Sequence, residues 1–350
     1  MTWLVIGAVG LASVSHAGPA EAGAEAGAVW ATPEDGHAEV APIVNGSNEE
    51  GFPQTLALGA FGFSACTGSL ITPKLVLSAG HCGDGIPLEL VVDLGSAYIG
   101  PSVAEAVEEV GFKNLEVHPD YVPLGGSAFG QTLPEYDLAV LQLERAVTSV
   151  EPIWFRTKSM KDRDLGETVT SVGFGITGAS SNDSGIKRSA ELVVDAYDDQ
   201  FILSYTSTNP NEAQICSGDS GGPQYYWDED NGRYLQWAVH SWGDANCAYE
   251  SGSTRTDIAA DWILDIVEAV HGTTDVCEIN GHYSNGVCDE FCDTPDPDCN
   301  PVAPTNPLGT GSGNEAGETE AVKGGCSHTA PAGGWWGLLA AVLLGWRRRD

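Results

Sequence analysis

An all-β body is the fold class this sequence predicts, and three observations carry it. Short apolar or alternating runs, such as Leu138–Leu143 and Val169–Phe174, are bounded by Gly and Pro, as strands between tight turns are. Glycine is abundant, 44 residues of 350, which suits many such turns. One clear helix closes the body at 257–270. There Ile258, Trp262, Ile263, Ile266, Val267 and Val270 recur on one face at helical spacing, with Asp257 positioned to cap the start. That stripe is core packing, not a site.

The remaining elements follow in chain order. Residues 1–17 read as a signal peptide: Thr2 to Val14 is largely apolar and Ser15-His16-Ala17 is a small-x-small cleavage pattern, although no Lys or Arg precedes the apolar stretch. Residues 18–42 are rich in Ala, Gly, Glu and Pro, cannot bury a core, and read as a short propeptide. After the body, 273–299 form a small acidic module holding Cys277, Cys288, Cys292 and Cys299. Two disulfides would staple a unit too small to hold a core, and four cysteines allow three pairings. Its run Asp293-Thr294-Pro295-Asp296-Pro297-Asp298 offers hard oxygen ligands for calcium, but the spacing is not that of an EF-hand. No cofactor is otherwise expected. Residues 300–325 are a Pro/Gly/Thr/Glu-rich flexible linker. In 326–350, Gly325-Cys326 is followed by an apolar run from Trp335 to Trp346 and then Arg347-Arg348-Arg349. This tail resembles the tripartite C-terminal sorting signals of myxobacterial surface proteins. By that resemblance Cys326 is the processing or lipidation site, and a sorting enzyme is a partner. A permanent membrane anchor is the competing reading.

Composition bounds the function. Asp and Glu number 49 against 15 Lys and Arg, a formal net charge of -34, and this excludes a nucleic-acid binder, which needs a basic surface. Acidity spread along the chain keeps an exported, monomeric protein soluble, and it also resembles that of salt-adapted extracellular proteins. Nine cysteines beside an export signal read as disulfides in an oxidising compartment, which also disfavours a zinc site.

The chemistry is concentrated in Cys216-Ser217-Gly218-Asp219-Ser220-Gly221-Gly222-Pro223. A serine flanked by glycines presents its hydroxyl on a tight turn, and the backbone N–H groups of Gly218 and Ser220 can face a reacting carbonyl as an oxyanion hole. A base and its orienting carboxylate are also available. His81 lies in Ser78-Ala79-Gly80-His81-Cys82, and Asp137 heads the apolar run of Tyr136-Asp137-Leu138-Ala139. Taken singly, a His beside a Cys is more often structural, and an Asp before an apolar run is usually a turn residue. The three together, in the order His, Asp, Ser, point to nucleophilic acyl transfer.

With Ile43-Val44-Asn45-Gly46, Val172-Gly173-Phe174-Gly175 and Ser241-Trp242-Gly243, these motifs resemble those of the trypsin/chymotrypsin-like serine endopeptidases over about residues 43–270. The resemblance implies two six-stranded antiparallel β-barrels in a domain spanning 43–272, with a catalytic cleft between them. It implies His81 as general base, Asp137 as its orienter and Ser220 as nucleophile acting on protein or peptide substrates. Ser241 supports Asp137, and Ser241 to Gly243 pair with an extended substrate. The bridges implied are Cys66–Cys82 and Cys216–Cys247. Cleavage before Ile43 would free an amine that pairs with Asp219, although Pro42 is an unusual residue at that cut. Gln214 takes the pocket floor; being neutral, it predicts no preference for Arg or Lys. Gly243 and Gly252 suggest an open pocket entrance, with Glu250 a candidate to reach inward. The rival class is a binding protein that kept the scaffold without the chemistry; a fluorophosphonate label on Ser220 separates the two.

Overall fold

In the computed structural model the described residues are 42–84, 86–125, 133–206, 212–229 and 231–299. The expected leader, most of the propeptide, the linker and the tail with Cys326 lie outside them. Among the described residues no helix is long and apolar enough to cross a membrane.

The first half is a closed antiparallel barrel. Its strands are β2 (Thr55–Ala60), β3 (Phe63–Thr72), β4 (Leu75–Ser78), β5 (Ser96–Ile99), β6 (Glu108–Val117) and β7 (Ala139–Leu143), joined in the order β2-β3-β4-β7-β6-β5. Inward residues such as Leu56, Leu70, Val76, Ile99, Val110 and Phe112 fill it and are almost wholly buried. Closure removes every strand edge. A short helix α1 (Leu88–Leu94), which no periodicity announced, lies over β6 with Val91 and Val92 against the same core.

The second half is an eight-stranded antiparallel sheet. Its strands are β1 (Ser47–Asn48), β8 (Thr168–Gly173), β9 (Arg188–Val193), β10 (Ala196–Tyr197), β11 (Phe201–Tyr205), β12 (Pro223–Asp228), β13 (Arg233–Gly243) and β14 (Glu250–Arg255). They run in the order β1-β9-β8-β12-β13-β14-β11-β10. Six of these are the expected barrel strands; β1 and β10, two residues each, extend its ends. The sheet curls until Asp195 N donates to Leu203 O at 3.0 Å and Ser204 Oγ to Val193 O at 2.7 Å, which brings β11 back toward β9. Met160, Val169, Leu192, Ile202, Ile215 and Trp237 form its apolar core.

Helix α2 (Ala260–His271) buries Ile263, Ile266 and Val267 against Leu75, Leu77 and Val140 of the barrel and Val239 of the sheet, so it binds the two halves together. Asp257 does not cap it. The residue lies in a preceding 3-10 turn, and its carboxylate is taken by Arg255, two residues upstream, with Nη2 at 2.6 Å. Gly272, at φ 79°, ends the helix in the left-handed region that favours glycine.

The cysteine module packs on this body. Helix α3 (Val276–Asn280) is capped by Asp275, whose side chain accepts from Cys277 N and Glu278 N. The pairing is Cys277–Cys292 and Cys288–Cys299. Ile279 reaches the core that α2 covers, and the Arg233 guanidinium sits 3.8 Å over the Phe291 ring. Asp296 is buried and accepts backbone N–H groups from Asp289 and Asp298, at 2.9 and 3.1 Å. It organises turns.

Candidate active site

Three local structures, from three parts of the chain, meet between barrel and sheet. His81 lies in the 3-10 turn Gly80–Gly83 directly after β4, held by the Cys66–Cys82 bridge. Asp137 precedes β7 on a sharp turn. There Tyr136 adopts φ 47°, Leu138 N donates to Tyr136 O at 2.7 Å, and the Tyr136 ring stacks on His118 at 4.6 Å. The stacking holds a backbone conformation that a bulky residue otherwise avoids. Ser220 ends the loop entering β12. Its carbonyl accepts from Thr67 N at 2.8 Å.

Asp137 is completely buried and accepts three hydrogen bonds: from His81 Nδ1 at 2.7 Å, His81 N at 2.8 Å and Ser241 Oγ at 2.5 Å. Burial alone would disfavour its charge, but the His81 partner and these donors hold the carboxyl below its ordinary value. His81 keeps 22% of its side chain exposed. Burial works against its cation too, yet the Asp137 charge and hydrogen bond prevail and raise the imidazole above 6.5. The bond at Nδ1 leaves Nε2 free to accept a proton. No hydrogen bond joins Ser220 Oγ to His81 in this structure; such contacts commonly tighten only when substrate is bound.

The Ser220 loop is fixed by its neighbours. Gly218 has φ 93° and its carbonyl accepts from Thr67 Oγ1 at 2.8 Å. Ile176 N donates to Ser217 O at 2.8 Å, and in a trans peptide this turns the Gly218 N–H to the opposite side. Neither Gly218 N nor Ser220 N has an acceptor among the described residues. Gly221 combines φ 81° with backbone and side chain too close for any Cβ, which would lie 2.1 Å from Ser78 Oγ. The Gly173 and Gly175 positions are equally crowded, by the Asp219 side chain and the Ser217–Asp219 backbone. This explains why that motif accompanies the serine motif.

Asp219 is wholly buried and accepts from Gly175 N and Cys216 N, both at 2.8 Å. Burial outweighs these bonds and the nearby Arg188 charge, and its carboxyl is pushed up to about 7. Ile43 is fully buried in a tight turn with φ 31°, an unfavourable value for a β-branched residue. Next to it, Val44 pairs with Gln214, whose N–H donates to Val44 O at 3.1 Å.

Other expected residues fall differently. Gln214 is buried, with Nε2 donating to Ser204 O at 3.2 Å. Gly252 does not open a pocket entrance. It faces Trp242 across β13 and β14, and the indole fills the space a side chain would need. Glu250 is exposed rather than turned inward. Cys216–Cys247 forms, and Asp244, which the sequence reading overlooked, gathers the N–H groups of Ala248, Tyr249 and Glu250 around it. Cys66, Cys82 and His81 lie close enough to suggest a metal cluster, but both sulfurs are spent in the disulfide. A cavity of about 760 Å³ opens beside β1 and β9, bordered by Asn45, Ser204 and Gln214; it holds none of His81, Asp137 and Ser220.

The family model described as Trypsin matches residues 43–263. The chain belongs to the trypsin family. It is 29% identical over 233 residues to CLIP domain-containing serine protease B10 of Anopheles gambiae, covering 57% of this chain and 60% of that protein. It is 28% identical over 253 residues to the Suppressor of tumorigenicity 14 protein homolog of Bos taurus, covering 63% of this chain and 28% of that protein. Brachyurin of Leptuca pugilator is 29% identical over 223 residues, 61% of this chain and 92% of its own length. The chain therefore spans less than two thirds of the first two relatives.

Proposed function

We propose that this trypsin-family chain is a serine endopeptidase, secreted or displayed at the cell surface, that hydrolyses peptide bonds through an acyl-enzyme on Ser220. The observation that carries this reading is the buried Asp137 carboxylate gripping His81 at both its N–H and Nδ1. Ser220 Oγ attacks the scissile carbonyl and His81 Nε2 takes its proton. Asp137 holds the imidazole in the accepting tautomer and stabilises the imidazolium. The two free N–H groups, of Gly218 and Ser220, receive the developing oxyanion. Collapse of that intermediate breaks the C–N bond, and the leaving amine carries away the proton held by His81. Water then repeats the sequence on the ester, releasing the acid and restoring Ser220. Ser241 to Gly243, at the end of β13, are the segment along which an extended substrate would pair.

Activation by cleavage before Ile43 is part of the same proposal. It would abolish the strained φ of that residue, since an N-terminal residue has none, a relief of about 1–3 kcal/mol. It would also create an amine close in sequence to the Val44–Gln214 pairing and give the buried Asp219 a cation. Display or release through Cys326 rests on the tail sequence alone. Ser220→Ala tests the central reading. Purified variant should lose on the order of 10⁴-fold or more in amide hydrolysis while folding normally. Activity within tenfold of the parent would refute it.

A further inference from the structure

One face of the second sheet carries an unusual load of buried polar groups. The register pairs Ser171 with Gln224, Gln224 with Ala238, and His240 with Ser253. Side chains alternate along strands, so Ser171, Gln224, His240, Ser253 and Ser251 all point to the same side. All are buried, and Ser171 Oγ, Gln224 Oε1, His240 Nε2 and Ser251 Oγ have no hydrogen-bond partner among the described residues. Gln214 Oε1 is a fifth such atom, and the Nε2 of the same amide bonds to Ser204, the residue opposite Ser251. Native folds rarely keep one buried orphan without a reason, and five together ask for an occupant.

Their place says what the occupant is. Gly221 N donates to His240 O at 2.8 Å and His240 N to Gly222 O at 2.7 Å, so the histidine is clamped to the two residues after the nucleophile. Its Cδ2, bonded to Nε2, lies against Gly222. The next residue, Ser241, supports Asp137. Ser253 Oγ lies 3.1 Å from His240 Nδ1; where that nitrogen accepts the hydroxyl proton, the hydrogen of the neutral ring stands on Nε2. Burial keeps the ring neutral, lowering its pKa to about 3.

Resting on the serine endopeptidase reading above, we propose that this face floors the primary specificity pocket, and that the enzyme cleaves after residues whose side chains end in a carboxamide or carboxyl group, Gln or Glu, with His240 Nε2–H as the specificity-determining donor. A planar carbonyl terminus accepts from His240 and the serine hydroxyls. A carboxamide also donates to Gln214 Oε1. Lys or Arg would bury a cation on a face without a carboxylate. An apolar side chain would leave all five atoms unpaired.

The test uses protein processed to begin at Ile43 and peptide substrates identical except for Gln, Glu, Leu, Phe or Lys at the cleaved position. We expect kcat/KM for Gln or Glu to exceed that for Leu, Phe and Lys by at least about tenfold, a conservative value for a site built to hydrogen-bond its substrate. The ratio of the Gln and Glu arms identifies the preferred terminus. His240→Leu should reduce the preference to within about threefold by slowing the Gln and Glu arms, and Ser251→Ala should narrow it in the same direction. A fluorophosphonate label on Ser220 certifies that each variant has assembled. Leu, Phe or Lys cleaved as fast as Gln and Glu, or an unchanged preference in labelled His240→Leu, overturns the inference. Labelled protein with a flat profile sinks this inference alone, whereas parent protein that takes no label and cleaves nothing sinks the endopeptidase reading itself.

Discussion

Replacing Asp137 by Asn isolates what the carboxylate does, because the shape is kept. In the parent, Oδ1 accepts from the His81 backbone N–H, while Oδ2 accepts from both His81 Nδ1 and Ser241 Oγ. The backbone donor cannot turn round, so the amide oxygen of Asn must take the Oδ1 position and its NH₂ must face His81 Nδ1. Nδ1 then becomes an acceptor and the hydrogen moves to Nε2, the atom that has to receive the proton of Ser220. A base in the wrong tautomer costs about 10⁴-fold, or about 5.5 kcal/mol of transition-state stabilisation. The fold should survive, since two of the three hydrogen bonds keep a partner. The pH profile adds a signature that mere misfolding would not give. Activity needs neutral His81, so in the parent kcat/KM is lost as pH falls through an imidazole pKa raised above 6.5 by Asp137. In the variant the Asp137 charge is gone and only the more distant Asp84 charge still opposes burial, so the residual activity should titrate at lower pH than the parent's. Steady-state hydrolysis of one peptide substrate from pH 5 to 9 measures both. A variant within tenfold of the parent, or one whose profile does not move to lower pH, would refute the reasoning.

Other outcomes follow from the same structure. Asp219 has its folded pKa raised to about 7 from 3.8, so it stabilises the uncleaved chain fully below 3.8 and that contribution is lost as pH rises through 7. Thermal melts of the unprocessed chain should show this slope and Asp219→Asn should remove it; identical slopes would show that Asp219 does not titrate there. N-terminal sequencing of active protein should read Ile-Val-Asn-Gly, and full activity with residues 18–42 attached would mean that no new amine is needed. Chelator should leave the melting temperature unchanged, because Asp296 already accepts backbone N–H groups; a clear fall would reveal a calcium site. Intact mass of protein from its native host should lack 335–350 and carry a modification near Cys326. A mass retaining Arg347 to Arg349, with an unmodified Cys326, would favour a plain anchor.

Much of the site was legible because its parts are local. A serine between glycines, a His at a strand end and an Asp heading an apolar run are each visible within a few residues, and backbone crowding explains the glycines. The helix was readable from its stripe, although its cap was not, since Arg255 competes for Asp257. What stayed hidden depends on long-range register. Nothing near His240 in sequence says that it shares a face with Ser171 and Ser253, and nothing near Gly252 says that Trp242 covers it. The module's cysteine pairing was likewise undetermined until α3 and the Asp296 turns placed the sulfurs. The short strands β1 and β10, two residues each, are too brief to leave a pattern.

The most direct test of the account is where a fluorophosphonate reacts on protein beginning at Ile43. The probe phosphonylates a serine only when a base and an oxyanion site are assembled around it. The account predicts one adduct per chain, mapped by peptide mass to Ser220, with peptide hydrolysis falling in proportion to labelling and both absent in His81→Ala. An adduct on another residue, or hydrolysis that continues in fully labelled protein, would contradict it.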